Sequence, residues 1–155
     1  MKVRLTRGLS LKFICLIAML KYKHVILIDD DPITNFINTK LITMCFDFAV
    51  TSFTSAAEAL VDLERRNGSG RQALPDLIFL DINMPQMDGW EFLDELERVP
   101  DMRSEKLHIV MLSSSVDSDD RERAGMYRCV YDFISKPLTK DKINSLVRGL
   151  EQLVD

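Results

Sequence analysis

The chain has 155 residues, of which 46% are hydrophobic and 28% charged, and this size and composition fit one globular domain with its own core. Its formal charge of −4 hides an asymmetry, because residues 1–28 carry six Lys or Arg and no acid, which leaves 14 basic and 24 acidic residues, net −10, in residues 29–155. This acidic main part excludes a nucleic-acid binder, since neutralising phosphates requires a clustered basic face.

The first 20 residues differ from the rest of the chain. The apolar stretch Phe13–Leu20 follows several basic residues, the charge order of a signal peptide or short anchor. It is too short to span a bilayer, which takes about 20 apolar residues, and no small-residue cleavage site follows it. We interpret residues 1–20 as an N-terminal extension of uncertain role. An upstream extension is favoured over an extra helix packed on the domain, and membrane association is favoured least.

From Lys21 onward the chain alternates strand-like and helix-like patterns five times. The apolar run His24–Ile28 predicts the first strand, and it ends in an acidic triplet, Asp29 to Asp31. Pro32 suits the first turn of a helix, and we expect Asp31 to favour the start of this helix rather than bind a ligand. Apolar residues at helical spacing then predict an amphipathic helix: Ile33, Phe36, Ile37, Leu41 and Met44.

The second strand is predicted at Phe48–Phe53, and Ser55 with Glu58 forms a capping-box pattern that begins a helix ending near Gly68. Pro100 ends the third predicted helix, which begins at Trp90, and Thr139 caps the last predicted helix. The remaining predicted elements are, in chain order, a strand at Leu77–Leu80, a helix at Trp90–Val99, a strand at His108–Leu112, a helix at Asp119–Tyr127, a strand at Cys129–Ile134 and a helix with Ile143, Leu146, Val147, Leu150 and Leu153 on one side.

Strands as apolar as these must be covered on both faces, which indicates an α/β fold with a doubly wound parallel sheet and helices on each side. In such a sheet the site lies beyond the carboxyl ends of the strands, near the point where the strand order reverses. Polar side chains follow four of the five predicted strands: Asp29 and Asp30 after the first, Asp81 after the third, Ser113 after the fourth and Lys136 after the fifth. We therefore predict that these residues form one site.

The residue types of this site indicate its chemistry. Carboxylates without His or thiolate partners suit magnesium rather than zinc or copper, and a magnesium ion relieves the repulsion among Asp side chains. A third carboxylate is then available as a nucleophile, since phosphoryl transfer to Asp is an established covalent strategy. The Ser113 hydroxyl and the Lys136 ammonium supply a donor and a cation for phosphoryl oxygens. The set predicts a site that holds an acyl phosphate.

Three segments resemble, in order, the motifs of a two-component response-regulator receiver domain: Ile26–Pro32, Pro75–Gly89 and Phe133–Pro137. The resemblance assigns residues 21–155 to this domain and implies a flavodoxin-like fold with five parallel strands in the order 2-1-3-4-5. It also implies the role of each site residue: Asp81 as phosphoacceptor, Asp29 and Asp30 as Mg²⁺ ligands with Asp81 and the backbone carbonyl of Asn83, Ser113 and Lys136 as contacts of the phosphoryl group, and Phe133 as an aromatic switch that changes rotamer on activation.

The resemblance implies a histidine kinase or histidine phosphotransfer protein as phosphoryl donor and a downstream protein target that it does not identify. The chain ends soon after its last predicted helix, so we predict a stand-alone receiver, a switch rather than an enzyme, with only weak self-phosphorylation and autodephosphorylation. The alternative is a degenerate receiver that acts only as a protein-interaction module. Dimerisation of the phosphorylated form is left open.

The cysteines bear on the compartment. They are odd in number and share no metal-ligand spacing, so we expect buried thiols in a reducing compartment and a cytoplasmic protein: Cys15, Cys45 and Cys129. Two other classes with a related fold or nucleophile fit poorly. A haloacid-dehalogenase phosphatase needs a second Asp two residues after the nucleophile, where this chain has Asn83. An FMN carrier needs a phosphate cradle where this chain has three acids, which repel phosphate.

Overall fold

The computed structural model describes residues 24–70, 73–100, 102, 107–115 and 117–153. The expectations for the N-terminal extension, residues 1–20, and for Cys15 concern residues outside these ranges. Within them, five strands alternate with five helices. The elements are β1 (His24–Ile28), α1 (Pro32–Cys45), β2 (Ala49–Phe53), α2 (Ala56–Gly68), β3 (Leu77–Asp81), α3 (Gly89–Arg98), β4 (His108–Ser113), α4 (Ser118–Ala124), β5 (Val130–Ser135) and α5 (Lys140–Gln152).

The strands form one parallel sheet in the order β2-β1-β3-β4-β5. This confirms the predicted doubly wound fold, because the chain first adds β2 on one side of β1 and then crosses to β3 on the other. The strand order therefore reverses between β1 and β3. A ligand site in such a sheet forms at the carboxyl ends of these two strands.

Two hydrophobic layers enclose the sheet and explain why its central strands are apolar throughout. Alternate residues of each strand point to opposite faces, so Ile26 and Ile78 join the layer that contains Leu63 and Phe92, whereas Leu27 and its same-face neighbours join the layer formed with α1 and α5. Burial of each such side chain contributes about 1.5–3 kcal/mol. The helices thus cover both faces of the sheet and leave its carboxyl edge for a site.

The N-termini of the helices agree with the predicted capping residues only in part. Asp31 is the N-cap of α1, and hydrogen bonds from the Thr34 hydroxyl and the Ile33 N–H lower its pKa, which confirms its role at the helix start. Thr139 accepts the predicted capping bond at the start of α5, from Lys142 N–H at 3.3 Å. Ser55 accepts from the Glu58 N–H at 3.4 Å, one half of the predicted capping box.

The complete reciprocal capping box lies instead at α3. Asp88 Oδ1 accepts from the Glu91 N–H at 2.8 Å, and Glu91 Oε2 accepts from the Asp88 N–H at 2.9 Å. Two otherwise unpaired backbone donors are satisfied in this way. The helix consequently begins at Gly89, one residue before the predicted start, and the Gly89 N–H donates to the carbonyl oxygen of Ile82, the residue that follows β3.

Helix α1 exposes the apolar residues that predicted it. Ile33, Phe36, Ile37 and Met44 are 57–79% exposed, although an amphipathic helix ordinarily turns such residues to the core. The buried side carries Asn35 instead, whose amide donates to the carbonyl oxygens of Asp29 at 2.8 Å and Phe53 at 3.0 Å. The Asp29 carbonyl is paired in this way, and the buried side of the helix also carries Asn38 and Ile42.

The described cysteines, Cys45 and Cys129, are free and half-buried, and burial raises the pKa of the Cys129 thiol to about 11. A thiol with so high a pKa carries little thiolate and is a poor nucleophile. In the described part of the chain, no helix is long and apolar enough to cross a membrane.

Candidate functional site

Strand register brings the predicted site residues to one edge of the sheet. Ile28 of β1 lies opposite Leu80 of β3, so that the next residue of each strand is an aspartate, Asp29 and Asp81. On the far side of β3, the pairing of β4 with β5 sets Ser113 opposite Ser135, the residue before Lys136. A one-residue change in any of these registers would turn the polar side chain to the other face of the sheet.

Three carboxylates form the centre of this edge. Asp29, Asp30 and Asp81 each offer an oxygen atom, and these atoms lie within 4.8 Å of one another. Asp29 and Asp81 are both 3% exposed, whereas Asp30 is open to solvent. Two neighbouring buried carboxylates repel each other unless a cation lies between them. Oxygen ligands alone, with one carboxylate facing solvent, fit a hydrated Mg²⁺ ion.

Lys136 supplies a cation to the two buried carboxylates. Its Nζ atom lies 2.7 Å from Asp29 Oδ2 and 3.1 Å from Asp81 Oδ1. Burial lowers the pKa of the Lys136 ammonium, but the hydrogen bond to Asp29 and the charge of Asp81 outweigh it, so the pKa is raised. Lys136 therefore remains protonated. Its backbone is held as well, since its N–H donates to the Ser113 carbonyl at 2.7 Å.

The carboxylate of Asp81 is costly to keep ionised. Burial raises its pKa, the Lys136 charge acts against this rise, and the neighbouring Asp29 adds to it. The Asn83 N–H donates to Asp81 Oδ1 at 3.3 Å, so the loop after β3 folds back toward the carboxylate. A carboxylate that is costly to keep ionised in the folded chain gains most from a metal ion or from a covalent change that alters its charge.

Ser113 and Phe133 lie in the core beside this edge. Ser113 is 1% exposed, and its Oγ atom accepts from the Ser115 N–H at 3.1 Å. Phe133 is buried as well, with the Arg121 guanidinium 5.4 Å from its ring centroid. Arg121 also donates to the Phe133 carbonyl at 3.1 Å. The aromatic side chain predicted to act as a switch is thus buried.

Asn35 and Gly89 were not predicted as site residues from the sequence, although both contact the backbone next to the carboxylates. Asn35 donates to the Asp29 carbonyl, and the periodicity of α1 gives no sign of this contact because it does not show which side of the helix faces the core. Gly89 donates its N–H to the Ile82 carbonyl at 2.8 Å. A Cβ at Gly89 would lie 2.8 Å from the Asp81 carbonyl oxygen and 2.9 Å from Ile82 Cα, so only glycine allows this approach.

Gly89→Ala is therefore expected to destabilise the fold and displace the Asp81 loop. The contacts are with backbone atoms that cannot rotate away, and overpacking of this kind costs about 1–3 kcal/mol. Chemical denaturation monitored by circular dichroism measures the free energy of unfolding. Gly68→Ala is the matched control, because a Cβ there meets nothing within 4 Å. Equal stability of the two variants would show that Gly89 is not required for the close approach.

The arrangement combines a buried carboxylate, acidic oxygen ligands and a fixed ammonium, which suits transfer of a phosphoryl group to an aspartate at the switch point of a doubly wound sheet. Residues 25–148 match the family model described as response regulator receiver domain. The chain is 32% identical over 126 residues to the response regulator Rre1 of Synechocystis sp., an alignment that covers 81% of this chain and 50% of that protein. The chain thus spans about half the length of this relative.

Two further likenesses agree. A crystal structure of a two-component response regulator from Cytophaga hutchinsonii superposes with a TM-score of 0.76 at 36% identity, covering 86% of this chain and 99% of that one. A hybrid signal transduction histidine kinase of Dictyostelium discoideum is 30% identical over 128 residues, which are 80% of this chain and 7% of the kinase.

The chain belongs to the response regulator receiver domain family. Receiver domains accept phosphoryl groups from histidine kinases or phosphotransfer proteins, and they typically bind Mg²⁺ at an acidic pocket. They are generally signalling modules rather than enzymes.

Proposed function

We propose that this chain is a phosphorylation switch in which Asp81 accepts a phosphoryl group from a histidine kinase or histidine phosphotransfer protein. The observation that carries the proposal is the ion cluster at the carboxyl edge, where Lys136 contacts both Asp29 and Asp81. Asp29, Asp30 and Asp81, with the Asn83 backbone carbonyl, are the candidate Mg²⁺ ligands. When bound, Mg²⁺ offsets the negative charge of the carboxylates and of the incoming phosphoryl group.

The transfer itself follows from the chemistry of the side chains. An oxygen of the Asp81 carboxylate attacks phosphorus, the bond from phosphorus to the donor histidine nitrogen breaks, and its electron pair returns to the imidazole ring. Lys136 is already within hydrogen-bonding distance of Asp81 and so neutralises charge on the transferred group without a large movement. Asp29 holds the same ammonium and fixes its position.

The switch proceeds from Ser113. Its hydroxyl oxygen accepts a bond from the Ser115 N–H, and its O–H hydrogen can donate to an oxygen of a phosphoryl group on Asp81. Phosphorylation adds about 1–3 charge-assisted hydrogen bonds, each contributing about 1.5–3 kcal/mol. Reversing a two-state equilibrium from 1:99 to 99:1 takes about 5.5 kcal/mol. Two such bonds, to Ser113 and Lys136, would supply about 3–6 kcal/mol, which shifts the equilibrium toward a rearranged surface for a downstream protein.

Intact mass spectrometry after incubation with acetyl phosphate tests the proposal. We expect a mass increase of one phosphoryl group in the presence of Mg²⁺ and none when EDTA removes it. A chain that binds its partners but gains no mass at any Mg²⁺ concentration would instead be a degenerate receiver, an interaction module without phosphorylation.

The exposed apolar side of α1 is the surface that suits a protein donor. A groove beside Lys136 is also lined by Ile37 of α1 and by Pro137, so α1 borders the site and offers a surface on which a donor could dock. Phe36 is 63% exposed on the same side. Apolar surface of this kind gains free energy when a partner covers it.

Phe36→Ser is therefore expected to slow phosphotransfer from a protein donor by about tenfold, since burying a Phe contributes about 1.5–3 kcal/mol, and to leave phosphorylation by acetyl phosphate unchanged. Transfer rates from a phosphorylated histidine phosphotransfer domain that acts on the wild-type chain provide the measurement. Val61→Ser is the control, since Val61 is equally exposed but lies on α2. If both variants slow transfer alike, the donor does not dock on α1.

A further inference from the structure

Lys142 is hydrogen-bonded to the loop that carries Lys136. Its Nζ atom donates to the Ser135 carbonyl at 2.5 Å, to the Ser135 hydroxyl at 3.3 Å and to the Pro137 carbonyl at 2.9 Å. Ser135 and Pro137 are the residues immediately before and after Lys136. One ammonium group therefore holds the backbone on both sides of the site lysine.

The positive charge of Lys142 lies at an electrostatically unfavourable position in its helix. It lies in the first turn of α5, where its own N–H donates to Thr139, and a positive charge at this end of a helix opposes the helix dipole. The described ion pairs give Lys142 no carboxylate partner. The three oxygens it contacts are neutral, and these contacts rather than an ion pair explain its position.

The same loop is tied to the rest of the site. Ser135 pairs with Ser113 in the sheet, and the Lys136 N–H donates to the Ser113 carbonyl. The Lys136 side chain leaves this segment to reach Asp29 and Asp81. A small rotation of the loop would move the Lys136 ammonium away from both carboxylates, because its long side chain amplifies any change in backbone direction.

We propose that Lys142 is a positioning residue for Lys136: by holding the carbonyl groups of Ser135 and Pro137, it aims the Lys136 ammonium at the phosphoryl site. The inference rests on the proposed function, because it concerns the group that Lys136 contacts. Lys142 itself touches neither Asp81 nor Asp29 in the described contacts and acts through the loop.

The test uses beryllofluoride with Mg²⁺, a stable phosphoryl mimic, and follows its binding by ¹⁹F NMR. Lys142→Met removes the ammonium and keeps a long side chain, and we expect about tenfold weaker beryllofluoride binding, as is typical when a supporting partner of a site is lost. The affinity for Mg²⁺ alone is expected to rise rather than fall, because a displaced Lys136 ammonium no longer competes for the oxygens of Asp29 and Asp81. Lys142→Arg restores most of the binding, since a guanidinium can donate to the same oxygens.

Lys140→Met is the matched control, with the same charge change on an exposed residue of the same helical turn. Equal losses in Lys140→Met and Lys142→Met would reduce the effect to net charge and overturn the inference. A parallel fall in Mg²⁺ affinity, or unchanged beryllofluoride binding in Lys142→Met, would overturn it too. If the wild-type chain binds no beryllofluoride, the proposed function is wrong. If the wild-type chain binds it and Lys142→Met binds it equally well, only the role of Lys142 is wrong.

Discussion

Asp81→Asn is expected to abolish phosphorylation by acetyl phosphate, so that intact mass spectrometry detects no added phosphoryl group where the wild-type chain gains one. The amide has nearly the shape of the carboxylate but no nucleophilic oxygen. We expect the substitution not to lower the stability of the fold. Burial raises the pKa of Asp81, which means that its ionised form is costly in the folded state, and a neutral side chain removes this cost.

The free energy of unfolding of Asp81→Asn at neutral pH is accordingly expected to equal or exceed that of the wild-type chain. This direction separates loss of the acceptor from general damage, which would lower stability. Asp31→Asn is the control, because Asn caps a helix about as well as Asp and Asp31 is the exposed N-cap of α1. It should retain both phosphorylation and stability. Continued labelling of Asp81→Asn would remove Asp81 from the central role.

Lys136→Met is expected to change two properties in opposite directions. Phosphoryl uptake falls by roughly ten- to a hundredfold, because one charge-assisted hydrogen bond, about 1.5–3 kcal/mol, is lost. Mg²⁺ affinity rises, because the ammonium that now contacts Asp29 and Asp81 no longer competes for their oxygens. Phosphorylation kinetics and isothermal titration calorimetry with MgCl₂ measure the two effects.

A matched loss of one surface charge, as in Lys40→Met on α1, should leave both quantities near their wild-type values, since Lys40 is exposed and its described contact is with the Phe36 ring. If Lys136→Met weakened Mg²⁺ binding, the ammonium would be supporting the carboxylates rather than competing with the ion. Such a result would contradict the arrangement proposed for the site.

The sequence was sufficient to predict the sheet and the edge that bears the site. Strands β1, β3 and β4 are apolar because they are covered on both faces, and a run of this kind is visible in the sequence without any knowledge of tertiary contacts. The polar residue that ends each run marks the carboxyl edge. Parallel strands bring these ends together by topology alone, so Asp29 and Asp81 could be assigned to one site before their distance was known.

Helix orientation could not be predicted in this way. The apolar periodicity of α1 correctly indicated a helix, but its buried side carries Asn35, which donates to the carbonyl groups of Asp29 and Phe53. Periodicity reports which residues share a face and not what that face meets. The exposed side carries Phe36, and we propose it as the surface on which a phosphoryl donor docks.

The sequence by itself determined the order of the elements, the parallel sheet and the identities of the charged groups at its edge, since these depend on local patterns and chain topology. Only the tertiary structure decided that Gly89 must lack a side chain against Asp81 and that Lys142 holds the loop around Lys136. Both are contacts between residues separated in sequence. They depend on distances of about 3 Å between groups five to eight residues apart in the chain, and no helix or strand periodicity specifies such distances.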